Sequence, residues 1–341
     1  MKGRGTPDNP GNRFERLHLQ REAGEQPERD TEFLIDRTGS ILSSNDSPDI
    51  GFDRSINPYR GCEHGCIYCY ARPTHEYLGF SAGLDFESRI LVKTAAARLL
   101  RRELASPSWR PRLVALSGVT DCYQPVERKL RLTRSCLEVL AEFRNPVAIV
   151  TKNHLVTRDL DLLTELARFN ALNVSISITT LETSLQRVME PRTSIPERRL
   201  AAIEELARNG IPVAVMVAPV IPGLTDHEIP RILEAARDHG AWSARYQLLR
   251  LPHGVGELFE NWLGRHVPLR AERVLHRIRE VRSGRLNDSR FHRRMQGEGF
   301  YARQIEQLFE KTRRKLGLRE QLPTPSAEAF RRSGQMRLPL L

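Results

Sequence analysis

The sequence has no uninterrupted apolar run approaching the length of a membrane span, and its start (Met1-Lys2-Gly3-Arg4) lacks an apolar signal segment. No membrane partner is expected, and a cytoplasmic location is. Cysteine is scarce, with 5 in 341 residues, an odd number with three clustered. Such usage argues against a secreted disulfide framework and suits a reducing compartment. No second C-x2-C or H-x3-H pair follows the cysteine group, and no internal repeat stands out beyond an alternation of strands and helices. Acidic residues are short only toward the end. Residues 264–341 carry 19 Lys+Arg against 8 Asp+Glu, a net of +11, while residues 1–263 balance at 34 of each. The whole formal charge of +11 therefore belongs to the C-terminal quarter. A polyanion such as nucleic acid accounts for that, and so do helices whose arginines are merely solvated.

What is present centres on Gly61-Cys62-Glu63-His64-Gly65-Cys66-Ile67-Tyr68-Cys69-Tyr70. The spacing C-x3-C-x2-C lets one tight loop aim three thiolates at a common point. Thiolates are the usual ligands of iron–sulfur clusters and also suit zinc. A [4Fe–4S] cube held by only Cys62, Cys66 and Cys69 leaves one iron open to a substrate or cofactor. The other reading is a zinc knuckle with His64 or His75 as fourth ligand, although zinc motifs usually come as two spaced ligand pairs.

Downstream, apolar strand-like segments alternate with amphipathic helical ones, the pattern of a parallel sheet covered by helices. Strands are expected near residues 50–57, 89–93, 112–116, 146–152, 172–178, 211–220 and 244–249. About six β/α units are counted from Ser55, too few for a closed eight-fold barrel. The expected organisation is a disordered arm over residues 1–50, a core over 51–255, a basic helical extension over 256–320 and a tail over 321–341. In β/α barrels functional groups gather at the C-terminal ends of the strands. That rule selects Ser117, Gly118, Thr120, Asp121 and Cys122, then Lys152 and Asn153, Ser175 and Ser177, and the run from Ala218 to Gly223. Cys136 falls on an apolar helix face and reads as core. The Gly297-Glu298-Gly299 turn reads as the entry to a helix.

The cysteine loop, with an aromatic before its last cysteine, resembles the signature of the radical S-adenosylmethionine (SAM) enzymes. Within them the chain looks most like the spore photoproduct lyase group, whose members are often labelled DNA repair photolyases. The likeness covers roughly residues 50–250 and includes Thr120-Asp121, Thr151-Lys152, Ser177-Ile178, Glu190-Pro191 and Val217-Ala218-Pro219. It implies a partial (βα)6 TIM-like barrel with a helical C-terminal extension, a [4Fe–4S] cluster on Cys62, Cys66 and Cys69, and SAM as cofactor. It also implies a flavodoxin or ferredoxin as electron donor, and reductive cleavage of SAM to a 5′-deoxyadenosyl radical that takes a hydrogen atom from the substrate. Thr120 and Lys152 would hold the amino acid end of SAM, Ser177 its ribose and Ala218 its adenine. Tyr68 would line the pocket, and Tyr70 would lie on the route of radical return. The hydrogen-donating cysteine of photoproduct lyases falls at Gly118 here, and Cys122 is the nearby candidate for that role. Nucleic acid, specifically a DNA lesion, is the expected substrate. The rival readings are a radical SAM enzyme acting on a protein or small metabolite, and a non-catalytic zinc-containing nucleic-acid-binding protein. The two remaining cysteines are too few for a second fully cysteine-ligated cluster.

Overall fold

The computed structural model describes residues 3–14 and 30–332. Its strands are β1 (Glu32–Ile35), β2 (Leu42–Ser44), β3 (Arg54–Ile56), β4 (Tyr59–Arg60), β5 (Arg89–Val92), β6 (Val114–Leu116), β7 (Val147–Thr151), β8 (Leu172–Ser177), β9 (Val213–Val220) and β10 (Ser243–Leu248). The main sheet has the order β10-β9-β8-β7-β6-β3-β2. Its first six members run parallel, and β2 closes the far edge antiparallel to β3. Six parallel strands with helical crossovers make the expected partial barrel, open rather than closed.

Its strands form where β-branched and aliphatic residues bury one face. In β8, Val174 and Ile176 are fully buried in the core against the helices, and the alternation of a strand then turns Ser175 and Ser177 to the other face. The crossover helices bury Leu99, Leu100 and Leu104; Cys136, Leu137 and Leu140; and Leu200, Ile203 and Leu206 on that core. Cys136 is thus core, as expected. Three further helices, Val255–His266, Ala271–Glu280 and Gly299–Lys315, follow the last strand. Gly297, two residues before the third, and Gly299, its first residue, take positive φ of 74° and 89°, so their turn is a helix entry.

Three expectations are corrected. Residues 89–92 stand outside the main sheet, in a separate three-stranded one of order β1-β5-β4 beside the cysteine loop. Residues 3–14 and 30–50 are not a disordered arm. They supply β1 and β2, and Arg4, Thr6 and Asn12 are buried; residues 15–29 lie outside the described residues. The expected tail is docked as far as residue 332. The Ser326 amide donates to the Asn170 carbonyl at 2.7 Å, the Arg331 amide to that of Phe143 at 2.9 Å, and Phe330 packs on the Phe143 ring. Residues 333–341 lie outside the described residues.

Candidate active site

The cysteine loop leaves β4 and turns back on itself. Gly61 and Gly65 take positive φ of 79° and 64°, and a β-carbon at Gly65 would stand 2.3 Å from a Glu87 oxygen. Backbone bonds fix the coil: Cys62 N to Phe86 O at 2.9 Å, Cys69 N to Cys66 O at 3.2 Å, and Ile67 N to Met189 O at 3.0 Å. Arg72, fully buried, binds the carbonyls of Cys66 at 3.0 Å, Gly65 at 3.3 Å and Gly83 at 2.8 Å, and pairs with Glu87 at 3.0 Å. One guanidinium thus satisfies loop carbonyls that have no secondary structure to bond to.

From behind, residues 3–14 lie on the same loop. The amides of Gly5 and Thr6 donate to the Glu87 carboxylate at 2.8 and 3.2 Å. Arg4 donates to the Glu87 carbonyl, and the Leu84 amide to Asp8 O at 2.9 Å.

Cys62 and Cys66 are buried and Cys69 partly so. Burial pushes all three thiols up. The charges of Asp121 and Cys69 add to this at Cys62, and at Cys66 those of Glu190, Cys69 and Cys62 do so. A cationic metal centre reverses that balance and draws the protons off. Among the described residues no three His, Cys, Asp or Glu side chains converge tightly enough for one metal ion. A single zinc ion, with Zn–S near about 2.3 Å, draws its sulfurs within about 4 Å of one another. Thiolates on three corners of an iron cube stand farther apart. Three thiols on one short loop, two of them buried and each raised by its surroundings, are a donor set that fits such a cluster.

Neither histidine favours zinc. His64 faces Asp121 Oδ2 through Nδ1 at 3.3 Å and Asn153 Nδ2 through Nε2 at 3.1 Å. His75 is wedged against Phe80 and Phe86 with Nε2 on the Arg89 carbonyl at 3.0 Å, and burial lowers its pKa to about 4.

Above the loop the strand ends meet. Lys152, just past β7, donates to the Ser177 hydroxyl and, at 2.8 Å, to the Ala218 carbonyl, which also accepts from Ser177 at 2.9 Å and Thr179 at 3.0 Å. Its ammonium lies 5.9 Å from the Tyr68 ring centroid and 3.9 Å from Glu190. Lys152, Ser177, Ala218 and Tyr68 are therefore brought together. Thr120 is buried with its hydroxyl 3.4 Å from the Tyr59 carbonyl.

The centre of this group is Glu190, which the sequence supplied as a motif without a role. Its carboxylate accepts from Tyr68, from Arg199 and, at 2.7 Å, from Thr179. Burial alone would raise its pKa, but Arg199 and Lys152 overturn that and leave it at about 2. Asp121 performs a parallel service, accepting from the Thr151 hydroxyl at 2.7 Å and the Lys152 amide at 2.8 Å, which fixes the backbone of that lysine. Burial works to raise Asp121 too, and His64 and the hydrogen bonds carry it below its usual value.

Tyr70 is 44% exposed and donates to the Gly118 carbonyl at 2.7 Å. Cys122 is not brought to this group: its side chain has no exposure and belongs to the barrel core with Tyr123 and Cys136.

Residues 56–236 match the family profile of the radical SAM superfamily. Uncharacterised proteins of Mycobacterium tuberculosis and Mycobacterium bovis are 40% identical over 219 residues, 64% of this chain and 64% of theirs. A protein of Methanocaldococcus jannaschii is 32% identical over 173 residues, 51% of this chain and 62% of its own. The chain thus spans less than two thirds of these curated relatives. Among solved structures, spore photoproduct lyase complexed with dinucleoside spore photoproduct superposes with a TM-score of 0.61 at 15% identity, covering 83% of this chain and 79% of that one. This likeness is one of fold. With more than half of its length matching the profile, the chain belongs to the radical SAM superfamily, a superfamily of enzymes.

Proposed function

We propose that this chain acts by radical chemistry on nucleic acid. Cys62, Cys66 and Cys69 would hold a [4Fe–4S] cluster, and Thr120, Lys152, Ser177, Ala218 and Tyr68 would hold SAM. A cluster held there would supply, with an electron from a flavodoxin or ferredoxin, the reducing power for cleavage of SAM and hydrogen-atom abstraction from the substrate. Lys152 can take a further anion: Glu190 stands off at 3.9 Å, its two hydrogen-bond acceptors are a neutral hydroxyl and a carbonyl, and an incoming carboxylate outcompetes either of these. Tyr68 and Glu190 hold that ammonium in position, and the buried strand ends around Ala218 exclude water.

The observation that carries the substrate class is the packing of the C-terminal extension. Cys66, Ile67 and Tyr68 of the cysteine loop share one apolar cluster with Val255, Phe259, Trp262, Val274 and Ile278 of the first two C-terminal helices. Val274 and Ile278 belong to the C-terminal quarter that holds the net charge, and residues 264–280 around them carry 5 arginines against 2 glutamates; a cationic segment beside a site concentrates polyanions there. The photoproduct lyase likeness supports a DNA lesion as the specific substrate, with Gly118 in place of that group's donor cysteine and Tyr70 on the radical route.

The test is anaerobic reconstitution with iron and sulfide, followed by 5′-deoxyadenosine assay with SAM, reductant and either DNA, RNA or nucleic-acid-free cell extract. Stimulation by nucleic acid, and loss of both iron–thiolate absorbance and product in C62A/C66A/C69A, is expected. Product in the triple variant overturns the cluster assignment. Stimulation by the nucleic-acid-free extract alone moves the substrate to a protein or metabolite.

A further inference from the structure

The end of the last barrel strand carries an arginine that has no counter-ion among the described residues. Arg250 lies two residues past β10, and its guanidinium carbon stands 5.2 Å from the ring centroid of Tyr70, the residue directly after Cys69. Because the Tyr70 hydroxyl bonds the Gly118 carbonyl beyond β6, this pair links the ends of two strands that are not neighbours in the sheet. Arg250 Nε is buried with no hydrogen-bond partner, and Nη1 has only the Met295 sulfur at 3.8 Å. No carboxylate lies within ion-pair distance among the described residues.

The acid within electrostatic reach is Asp49, and it is already committed, to Arg294 Nε at 2.5 Å and the His292 amide at 2.7 Å. Two more cations crowd the place. Arg294 is bound to that aspartate, and Arg282 bonds the carbonyls of Leu249 at 2.7 Å and Arg293 at 3.0 Å. Half-burying a guanidinium among like charges, with donors left over, is unfavourable in the free protein. It is the arrangement expected where the missing anion arrives with a ligand, and a guanidinium fork matches the two oxygens of a phosphodiester.

We propose that Arg250 receives a backbone phosphate of the substrate strand, with the Tyr70 ring holding the guanidinium in register beside the cysteine loop. This assignment rests on the nucleic-acid reading and names the residue that would anchor the strand at the reacting centre. It makes Arg250 a substrate-binding residue and leaves the carboxylate of SAM to Lys152.

The experiment uses the full chain and a fluorescently labelled single-stranded oligonucleotide, with anisotropy measured across a salt series, and SAM affinity by equilibrium dialysis. R250Q should bind the oligonucleotide about 10-fold more weakly, with the slope of log affinity against log salt reduced by about 0.7. R250K should restore the slope but only part of the affinity, because an ammonium lacks the fork. R208Q, which removes an exposed charge at the end of the helix preceding β9, should change neither, and SAM affinity should stay level in all three. R250Q removes a half-buried charge with no ion-pair partner among the described residues, so it should unfold no earlier than the wild type. Equal affinity and slope in R250Q and wild type would overturn the assignment while leaving the nucleic-acid reading intact, as would weakened SAM binding in its place. A wild type that shows no salt-dependent binding takes both down together.

Discussion

Gly5 sits against the carbonyl of Gly65: a β-carbon at residue 5 would stand 1.8 Å from that oxygen and 3.3 Å from an Arg72 nitrogen. The N-terminal segment therefore reaches the cysteine loop only because it has no side chain there. The contact joins the first described residues to the turn between Cys62 and Cys66. Substitution by valine must push the two backbones apart, and overpacking of this kind costs about 1–3 kcal/mol. The strain would be released by lifting the segment off Glu87, which loses the amide bonds of Gly5 and Thr6. G5V is expected to lower the unfolding midpoint and, after reconstitution, to lose iron to a chelator several-fold faster than wild type, with G5A between them. Equal chelation rates in all three would show that the segment does not shield the loop.

A second expectation concerns acid. Glu190 has its pKa lowered from 4.5 to about 2 by Arg199 and Lys152 against the opposing effect of burial. A group depressed in the folded state stabilises the protein above its unfolded value and loses that contribution as pH falls through the folded one. The shift corresponds to about 3 kcal/mol, present at neutral pH and lost progressively from near pH 4.5 down toward pH 2. E190Q leaves the buried Arg199, and the half-buried Lys152 beside it, without their anion, a change worth about 3–5 kcal/mol at neutral pH. Denaturant unfolding of both proteins across this range should show the gap narrowing as the pH falls below about 4.5. A gap that stays constant with pH would mean that Glu190 is not held ionised by its two cations.

How far the sequence reaches can be judged from individual elements. The cysteine spacing was legible because ligation needs particular side chains at particular intervals. The six barrel strands were legible because each buries a run such as Val174 and Ile176 between helices that have their own apolar period. Strand β1 was not, since Phe33 and Ile35 are 46% and 69% exposed and show no buried alternation. Residues 3–14 and 321–332 were missed for a related reason. They are held by backbone amides and polar side chains on distant acceptors, Glu87 for Gly5, Glu76 for Arg13 and the Phe143 carbonyl for Arg331, and such pairings leave no trace in composition. The buried arginines pose a harder case. Nothing in the sequence distinguishes Arg72 and Arg199 among 53 basic residues, because their roles come from Glu87 and Glu190, which the fold brings to them. Strand-end position did select Lys152, Ser177 and Ala218, which the structure joins through one carbonyl. The same rule also selected Cys122, whose chain position is right and whose side chain points into the core.

Cys122 gives the last expectation. Its amide donates to the Ser117 hydroxyl at 2.8 Å and its carbonyl accepts from Thr133 at 2.6 Å, which turns the thiol away from solvent to complete burial. Burial first, and then the charge of Asp121, pushes the thiol well above its usual range. A hydrogen-atom donor to a substrate radical has to approach that radical, and a side chain with no exposed surface lines no cavity that a substrate enters. C122A removes one small buried group, so a stability loss of about 1 kcal/mol is expected. The yield of product per 5′-deoxyadenosine formed should stay within a factor of about two of wild type, which corresponds to less than half a kcal/mol at the transition state. If C122A instead fails to quench the product radical, so that 5′-deoxyadenosine accumulates without product, the thiol must reach the site by a movement of the loop after β6. Measuring both yields on the same reconstituted sample separates a core residue from a donor, since a packing defect lowers them together and a missing donor parts them.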